Sequence, residues 1–384
     1  MHYYILAGEP SGDLHASRLM SRLKVHDPAA RFTFLGGDLM AGQAGTAPLI
    51  HYSEMAYMGF SEVIRNLSAV RRNLRTASEV LTASRPDAVI CVDYPSFNLR
   101  IAEQAHKLGI PVFYFISPKI WAWKTWRVKA IRRDVEQVYS ILPFEPAFYA
   151  RYDFHSLYVG NPSVAEVDAA LATAAPRADF LRKHRLRDRR MIALMPGSRL
   201  GEIRNNLPVM IKAVHPFVQC RPVIVGAPGV ADEFYASLGA NVDCPVIRES
   251  ETAHILAHVH AALVTSGTAT LETALAGVPQ VVCYRANGSR ISYKIMERVL
   301  SVKYVSLPNL IADSMVVPEM LLHKCTPALV ADRLAPLLPD SDARRKQLDG
   351  YARIRTILGN QDAADNAAAD ICRRLFNFKR ASDV

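Results

Sequence analysis

The sequence predicts an α/β protein made of two doubly wound, Rossmann-like domains, each a parallel sheet covered by helices. Short apolar runs typical of strands alternate with helical patterns along the chain, which indicates repeated strand–helix units. A length of 384 residues is enough for two complete cores. The alternation breaks near residues 162–190, where alanine, proline and charged residues dominate. We therefore expect two facing domains, with the ligand in the cleft at the carboxyl ends of the strands.

Strand-like runs occur on both sides of this break. The runs of the first half are residues 2–7, 32–35, 88–92, 112–116, 137–141 and 156–159. Those of the second half are residues 191–195, 223–225, 245–247, 261–265 and 280–283. The pattern predicts an N-terminal domain at residues 1–165 and a C-terminal domain at residues 190–358. The tail, from about residue 360 to residue 384, has a helical pattern and is expected to cross back onto the first domain.

The composition is typical of a globular protein, with 50% hydrophobic and 21% charged residues. The apolar runs fall short of the ~20 residues of a membrane span, and the first residues enter a strand without the basic and apolar regions of a signal peptide. The six cysteines are scattered, which suits buried thiols in a reducing cytoplasm. His254, His258 and His260 lie close together, but no carboxylate or cysteine completes a metal set.

The formal net charge of +10 favours an anionic partner: nucleic acid, acidic lipid or a phosphorylated substrate. The basic residues gather in residues 65–75, 119–133 and 182–190 rather than in one tail. The last of these stretches resembles a nucleic-acid patch in composition, but it directly precedes a strand and no nucleic-acid-binding signature accompanies it. We interpret it as a solvated connector and expect no nucleic-acid partner.

The first strand leads into a loop with two glycines, Ala-Gly-Glu-Pro-Ser-Gly-Asp at residues 7–13. The glycine spacing is wrong for a dinucleotide fingerprint, but the loop is suited to close approach by a polar ligand. The candidates to contact that ligand are Glu9, Ser11, Gly12, Asp13 and His15. The alternative is that Ser11 or Asp13 only caps the helix.

Asp93 directly follows the apolar strand at residues 88–92. A carboxylate at the carboxyl end of a buried parallel strand points into the predicted cleft, where its pKa can rise toward a value useful for a general base. The alternative is a turn aspartate that bonds to its own loop, aided by Pro95.

Two turns of the second half have the residues of a phosphate site. In the first, Ser198 and Arg199 follow a strand and a glycine. Arg199 could neutralise the charge on a leaving phosphate, and Glu202 could hold the Arg199 side chain in place. The alternative is that Arg199 is a surface residue paired with Glu202.

The second turn, Ser266-Gly267-Thr268, lies between a strand and a helix. Its N–H groups and the helix dipole favour a diphosphate. Glu272 could take the hydroxyls of a ribose, although an ordinary turn capped by a threonine has the same pattern.

Two segments are candidates for contact with the acceptor or a membrane. All three tryptophans lie in residues 121–126, and Trp121 and Trp123 suit a sugar face, an acyl chain or an anionic headgroup, although core packing is the alternative for at least one ring. Residues 58–81 have helical spacing, with arginines beside an apolar stripe that includes Phe60, Val63, Ile64 and Leu67. This helix either lies on an acidic membrane or packs on the sheet.

Taken together, these segments resemble the lipid-A-disaccharide synthases, a bacterial glycosyltransferase family of the GT-B fold. Single motifs are weak, but eight in order are highly specific. They occupy residues 7–13, 57–60, 93–98, 117–123, 142–145, 196–199, 266–272 and 304–309.

The resemblance implies an inverting transfer from UDP-2,3-diacylglucosamine to 2,3-diacylglucosamine 1-phosphate, which gives a β-1,6-linked disaccharide and UDP. It implies that Asp93 is the catalytic aspartate and Arg199 the arginine at the diphosphate. Residues 266–272 would hold UDP, with Glu272 on the ribose, and Asn309 belongs to a motif of the same cleft. With this cationic support at the diphosphate, no metal or other cofactor is required, and the sequence shows no metal motif. We expect a monomer or homodimer that lies peripherally on an anionic membrane, at the cytoplasmic face of the inner membrane.

Two positions depart from the family pattern: Ser96 stands where a second acid is usual, and Asn161 where a histidine is usual. Neither change touches Asp93 or Arg199. The main alternative function is another GT-B enzyme that acts on a UDP-sugar, such as a UDP-N-acetylglucosamine 2-epimerase. A nucleic-acid-binding protein is a second alternative, suggested only by the net charge.

Overall fold

The chain divides into two compact units, each of which contains one parallel sheet. The computed structural model describes residues 1–55, 67–123, 125–285 and 303–382. The first unit comprises Met1–Pro162 and Asn360–Val384, and the second comprises Ser163–Gly359.

The sheet of the first unit has seven strands in the order β3-β2-β1-β4-β5-β6-β7, and every neighbouring pair is parallel. Its strands are β1 His2–Ala7, β2 Arg31–Gly36, β3 Ile50–His51, β4 Ala88–Val92, β5 Val112–Phe115, β6 Gln137–Ser140 and β7 Ser156–Tyr158. The chain order reverses between β1 and β4, and this is the place where ligands bind in doubly wound sheets.

Helices connect these strands and cover the sheet. They are Pro10–His26, Asp38–Ala44, Leu67–Ser84, Pro95–Lys107, Ile120–Trp123, Val128–Asp134 and Glu145–Ala150, with short 3₁₀ turns at Tyr52–Glu54 and Thr125–Arg127. Every residue of β4 and β5 is buried, because helices lie on both faces of a parallel sheet.

The C-terminal helix, Ala363–Ser382, belongs to the first unit, as the helical tail pattern predicts. Its small and apolar residues are buried in the same core cluster as the apolar face of the helix Pro10–His26. Asp370 accepts a hydrogen bond of 3.0 Å from the hydroxyl of Tyr139, and Arg374 donates to Asp370 at 2.7 Å. Alanine at four buried positions of this helix allows a close approach to its neighbours: Ala363, Ala364, Ala367 and Ala368.

The sheet of the second unit has six parallel strands in the order β10-β9-β8-β11-β12-β13. Its strands are β8 Arg190–Met195, β9 Cys220–Val225, β10 Val246–Ile247, β11 Ala261–Thr265, β12 Gln280–Tyr284 and β13 Glu319–Leu321. Its helices are Pro162–Ala172, Arg177–Lys183, Leu200–Val214, Asp232–Ala236, Thr252–Leu256, Thr268–Leu275, Leu307–Ala312, Pro327–Leu334 and Asp342–Leu358, with 3₁₀ turns at Leu322–Lys324 and Ala335–Leu337.

The predicted fold class is confirmed by these two doubly wound sheets and the C-terminal helix. Two strands escaped prediction, β3 and β13, because their two and three residues include a histidine and a glutamate and so form no apolar run. The cysteines are all free and buried. Among the described residues, no helix is both long enough and apolar enough to span a bilayer.

Candidate active site

The turn after β4 holds Asp93 in a strained backbone conformation. Asp93 has a φ of +43° and Tyr94 a φ of +44°, both in the left-handed region that non-glycine residues rarely occupy. The carbonyl oxygen of Asp93 accepts hydrogen bonds from the hydroxyl of Tyr114 at 2.5 Å and from the amide of Asn98 at 2.8 Å. These two buried donors keep the chain in this conformation and so determine where the Asp93 carboxylate points.

The ring of Tyr94 fills the space above Gly8 and connects this turn to the glycine loop after β1. A Cβ atom at Gly8 would lie 2.4 Å from the Tyr94 ring, which is closer than any real contact. The Tyr94 hydroxyl donates to the carbonyl of Met55 at 2.9 Å. Gly8 is therefore required by the protein's own packing.

The Asp93 carboxylate has the electrostatic environment expected of a general base. Burial raises its pKa above the usual aspartate value, while the charge of Lys119 and the backbone N–H of Tyr94 partly oppose this rise. Lys119 is exposed and lies on the segment that follows β5. The raised pKa makes the carboxylate a stronger base than a solvated aspartate.

The loop after β1 provides both exposed and structural residues. Glu9 is half-buried at the start of the helix Pro10–His26, Ser11 is exposed and Gly12 is buried. Asp13 is buried and accepts hydrogen bonds from the backbone N–H groups of Gly37 at 2.8 Å and of Leu39 and Met40 at 3.2 Å. Asp13 therefore caps the neighbouring helix Asp38–Ala44, which corrects both the predicted ligand contact and the alternative that it caps its own helix.

Neither His15 nor Asn161 supplies a proton donor for catalysis at neutral pH. Burial lowers the pKa of His15 to about 4, with the charge of Arg18 adding to the effect, so its imidazole is neutral at pH 7. The amide of Asn161 donates to the carbonyl of Ile141 at 2.9 Å. The departure at Asn161 thus places a structural amide at that turn.

Trp121 is a core residue, so its predicted contact with a membrane or an acceptor is corrected. Only 8% of the residue is exposed, its indole N–H donates to Glu145 at 3.1 Å, and its ring meets Phe144 edge-on at 5.0 Å. Trp126 is exposed at 66%, and Trp123 ends the helix Ile120–Trp123, its side chain lying outside the described part. The alternative of core packing for one ring is confirmed.

The predicted amphipathic segment at residues 58–81 is described only from Leu67 onward. Phe60, Val63 and Ile64 lie outside the described residues, as does the side chain of Leu67. The helix Leu67–Ser84 buries Asn73, Ala77 and Leu81 in the first unit, and Tyr4 donates to its Ala77 carbonyl at 3.1 Å. The side chains of Arg71, Arg72 and Arg75 are exposed. The apolar face of this part of the helix is therefore packed on the protein.

The turn after β8 places Arg199 at the start of the helix Leu200–Val214. Gly197 has a φ of +119°, and a Cβ atom there would lie 2.5 Å from a Glu202 oxygen. Glu202 accepts a hydrogen bond from the N–H of Ser198 at 3.2 Å and forms an ion pair with Arg199 at 3.5 Å. The Arg199 side chain is 62% exposed, so this long ion pair is weak and its guanidinium stays accessible.

Asn206 is a buried residue that sequence reasoning missed. Its amide donates to the carbonyls of Glu202 at 2.9 Å and Pro196 at 3.4 Å, and its oxygen accepts from the N–H of Arg285 at 2.8 Å. It thereby connects the Arg199 turn to the chain that leaves β12. An asparagine among the buried apolar residues of a helix was the available signal.

The turn after β11 is open at its glycine. Gly267 has a φ of +157°, and a Cβ atom there would meet no atom within 4 Å. Within the described residues, no side chain caps the helix Thr268–Leu275, so the predicted alternative of a capped turn is not observed. Thr270 instead donates to the carbonyl of Gly267 at 2.7 Å. The N–H group of Thr270 bonds to the Gly267 carbonyl at 3.2 Å, which leaves those of Thr268 and Ala269 for an anion.

Glu272 lies one turn into this helix in acidic surroundings. Burial raises its pKa, and the negative charges of Glu166 and Glu251 raise it further. A partly buried carboxylate can accept hydrogen bonds from hydroxyl groups.

Asn309 and Glu319 organise the loop that packs against the Ser266 turn. Asn309 is fully buried; its amide donates to Val317 and Glu319 at 2.9 Å, and its oxygen accepts from the N–H groups of Val316 and Val317 at 2.7 and 2.9 Å. Both donors and both acceptor positions are occupied, so the predicted direct ligand contact of Asn309 is revised to a structural one.

Glu319, the first residue of β13, is a further functional residue that the sequence analysis did not identify. Its carboxylate accepts from the backbone N–H groups of Val305 at 3.2 Å and Ser306 at 2.9 Å and from the Ser306 hydroxyl at 2.6 Å. Ser266 donates its hydroxyl to the carbonyl of Val305 at 3.0 Å. Glu319 therefore fixes the loop on which Ser266 rests. The strand was too short to draw attention to this acid.

The three histidines have ordinary partners. His254 lies 3.3 Å from the hydroxyl of Ser250, and His260 lies 2.6 Å from the carbonyl of Leu338. The ring of His258 packs on that of Phe180, with centroids 4.3 Å apart. In the part of the chain that the structure describes, no three His, Cys, Asp or Glu side chains form a group able to hold a metal ion.

Solved structures of similar fold match nearly the whole chain. A putative UDP-N-acetylglucosamine 2-epimerase from Listeria monocytogenes has a TM-score of 0.62 and 13% identity, over 99% of this chain and 97% of that one. MurG from Acinetobacter baumannii has a TM-score of 0.58 and 14% identity, over 97% of this chain and 99% of that one. At these identities the likeness concerns the fold alone, which is the GT-B fold.

The sequence comparisons are more specific. Residues 3–371 match the family model described as lipid-A-disaccharide synthetase. The lipid-A-disaccharide synthase of Myxococcus xanthus is 37% identical over 97% of both chains, and that of Syntrophus aciditrophicus is 36% identical over 95% of both. The chain therefore belongs to the lipid-A-disaccharide synthase family. The predicted family and the predicted glycosyltransferase of lipid A disaccharide synthesis are confirmed, and the epimerase alternative is not favoured.

Proposed function

We propose that the chain transfers a diacylglucosamine unit from UDP-2,3-diacylglucosamine to the 6-hydroxyl of 2,3-diacylglucosamine 1-phosphate. The products are the β-1,6-linked lipid A disaccharide 1-phosphate and UDP. The observation that carries this proposal is the Asp93 carboxylate, which stands at the end of β4 with a raised pKa in a chain of this family. The first unit would bind the acceptor and the second the donor.

A single displacement accounts for inversion at the anomeric carbon. Asp93 takes the proton of the acceptor 6-hydroxyl while that oxygen forms its bond to the anomeric carbon. The bond from this carbon to the diphosphate oxygen breaks, and UDP leaves with the electron pair. The burial that raises the pKa of Asp93 supports its role as the base, because it lowers the free-energy cost of accepting a proton near neutral pH.

The second unit would stabilise the leaving UDP. The accessible guanidinium of Arg199 is suited to offset the negative charge that develops on the diphosphate. The open turn at Ser266, Gly267 and Thr268 adds N–H groups, and Glu272 accepts hydrogen bonds from the ribose hydroxyls. Ser198 and Glu202 shape the Arg199 turn. Asn309 and Glu319 position the loop that supports Ser266 rather than touch the ligand.

On the acceptor side, the contacts would come from Glu9, Ser11 and Gly12 in the loop after β1. Ser11 is exposed, whereas Gly12 is buried and a Cβ atom there would lie 3.3 Å from Ala7, so Ser11 is the stronger candidate for direct contact. Cationic and N–H groups are sufficient in this scheme to balance the charge on UDP, so we expect turnover to be independent of added metal ions.

We further propose that the enzyme works on the cytoplasmic face of the inner membrane, where acylated substrates reside. Arg71, Arg72 and Arg75 form an exposed basic row on the helix Leu67–Ser84 and suit anionic headgroups. Phe60, Val63, Ile64 and Leu67, together with Trp123, are the apolar candidates for this contact. Sedimentation with anionic and neutral vesicles at low and high salt tests the idea; binding indifferent to both lipid charge and salt would contradict it.

The reaction is tested by incubating the two acylated substrates with the protein in detergent and EDTA, and by following UDP and the disaccharide. We expect both products in equal amounts. UDP without a disaccharide would indicate hydrolysis, and a new UDP-sugar formed without the acceptor would indicate an epimerase. A folded protein that yields none of these products, even after metal is restored, would overturn the proposal.

A further inference from the structure

The motif Leu142-Pro143-Phe144-Glu145 has no part in the reaction proposed above, yet it buries an acid. Glu145 begins the helix Glu145–Ala150 beyond the end of β6, and only 1% of the residue is exposed. Burial of a carboxyl group costs free energy unless donors satisfy it. Glu145 follows β6 and Asp93 follows β4, so both lie at the carboxyl edge of the sheet, where the acceptor is proposed to bind.

Donors from two different segments converge on this carboxylate. The indole N–H of Trp121 donates to Oε1 at 3.1 Å, and the backbone N–H of Leu142 donates to Oε2 at 3.0 Å. The Ser117 hydroxyl lies next to this site and hydrogen-bonds to the hydroxyl of Tyr149 at 2.8 Å. Trp121 follows β5, whereas Leu142 follows β6. One carboxylate therefore ties together the loops of two neighbouring strands.

The segment anchored in this way, residues 117–121, carries Lys119. Lys119 is exposed, and its charge opposes the rise in the pKa of Asp93. The same segment starts the helix Ile120–Trp123, and the ring of Phe144 packs edge-on against that of Trp121. A shift of this anchor would therefore move both the cation near Asp93 and the tryptophan helix.

We propose that Glu145 is a positioning residue for the acceptor: through Trp121 it anchors residues 117–121, and so places Lys119 near Asp93 and sets the start of the helix Ile120–Trp123. The inference rests on the proposed function, in which the first unit binds the acceptor. Glu145 itself is buried and touches no substrate. Its loss is therefore expected to change acceptor binding while the donor side is unaffected.

The buried carboxyl group also provides a direct physical signature. Burial raises the pKa of Glu145 from the ordinary value of 4.5 to about 7, and the titratable groups that face it, the phenols of Tyr149 and Tyr158, have their pKa values raised as well and stay neutral. The folded chain keeps this proton to a higher pH than the unfolded chain. Stability from this group is thus lost as the pH rises from 4.5 to about 7, a slope that Glu145→Gln removes.

The first test compares Glu145→Gln with the wild type in steady-state turnover. The carboxylate accepts from the Trp121 indole N–H through one oxygen and from the Leu142 N–H through the other. A glutamine keeps one of these oxygens and replaces the other with an NH₂ group, which cannot accept, so one hydrogen bond is lost. We expect the acceptor KM to rise roughly tenfold, while kcat, the donor KM and the Kd of UDP stay within about twofold. Glu145→Asp should restore part of the acceptor KM. The matched control is Asp134→Asn, another buried carboxylate of the first unit, which is paired with Arg133 just before β6.

A double-mutant cycle then tests the contact itself. Trp121→Phe removes the indole N–H but keeps an aromatic ring, and we expect its effect on the acceptor KM to be non-additive with that of Glu145→Gln. A variant with Trp121 as its only tryptophan, made by Trp123→Phe and Trp126→Phe, should show an emission change near pH 7 that Glu145→Gln abolishes. This optical readout needs no turnover.

Several results would overturn the inference while leaving the proposed function intact. One is an acceptor KM that is unchanged in Glu145→Gln or that changes equally in Asp134→Asn. Another is additivity of the two substitutions in the double-mutant cycle. A third is tryptophan emission that does not change with pH. If Glu145→Gln does not fold, Glu145→Asp and Trp121→Phe decide the same question. If wild-type protein makes no disaccharide, the proposed function fails separately, and the fluorescence titration still tests the anchor.

Discussion

The Asp93 turn and the Ser266 turn occupy equivalent places in the two units, each directly after a buried inner strand, but they are constructed in opposite ways. The first is filled by the protein: Tyr94 packs on Gly8, and Tyr114 and Asn98 bond to the backbone of Asp93. The second is left open at Gly267, above a helix end that no side chain caps in the described residues.

The difference corresponds to the chemistry proposed for each turn. A general base works through one atom in one position, so its backbone is held rigidly and its carboxylate is partly shielded from water. A diphosphate is large and charged, and it is met by bare N–H groups and an accessible cation. Side chains of the protein therefore fill the space around the Asp93 turn, which carries the proposed base, whereas the space at Gly267, where the anion is proposed to bind, contains no atoms of the described residues.

The largest effect should come from Asp93→Asn, which keeps the shape of the side chain but removes the base. We expect kcat to fall ~100-fold or more, with little change in the Kd of UDP, because the amide cannot accept the acceptor proton. Turnover together with calorimetric titration of UDP measures both. Near wild-type turnover from a correctly folded variant would remove Asp93 from the mechanism.

The filled turn should respond to Gly8→Ala as a packing defect. The added methyl group would meet the Tyr94 ring at 2.4 Å, and relief of this clash should cost roughly 2 kcal/mol in the free energy of unfolding. Thermal and urea unfolding measure the loss. A variant of unchanged stability would show that the ring is free to move and that the turn is less rigid than described.

The open turn should respond to Gly267→Ala in binding. No protein atom lies within 4 Å of the new methyl group, but the group would stand where UDP approaches. We expect the Kd of UDP to rise roughly tenfold, which corresponds to about 1.4 kcal/mol. The loss in unfolding free energy should be smaller than that of Gly8→Ala and limited to backbone strain at this φ. Unaltered UDP binding would place the diphosphate elsewhere.

A smaller effect is expected from Tyr114→Phe, which removes one donor from the Asp93 carbonyl while Asn98 keeps the other. The loss of about 1 kcal/mol of positioning should lower kcat several-fold and leave the Kd of UDP unchanged. Tyr139→Phe is a suitable comparison, because its hydroxyl donates to Asp370 of the C-terminal helix rather than to Asp93. A fall in UDP affinity instead of kcat would argue against a positioning role for Tyr114.

The smallest effect concerns the pH profile. Because the pKa of Asp93 is raised by burial and lowered by Lys119, kcat/KM should fall on the acid side at a pH above the usual aspartate range. Lys119→Ala removes the opposing charge, so this acid limb should move to a higher pH by a fraction of a pH unit. The control is Lys107→Ala, whose ammonium group pairs with Glu103. A limb that moves down, or does not move, would contradict this electrostatic account.

Much of this architecture could be predicted from local patterns. The bounds of β1, β4 and β11 agree with the predicted runs, because continuous buried apolar residues mark the central strands of a parallel sheet. Asp93 and Gly267 were also visible, since a strand end and the following turn are adjacent in the sequence. Both features depend on short stretches of chain.

The sequence by itself determined the two doubly wound units, the family and the turns where polar residues follow strands. Only the tertiary structure decided what each polar side chain does. Asp13 caps another helix, Asn309 is saturated by the chain, and Asn206 bonds to a residue 79 positions away. The physical reason is that a side chain's role depends on which donors and acceptors folding brings within ~3 Å, and periodicity carries no record of these distant partners.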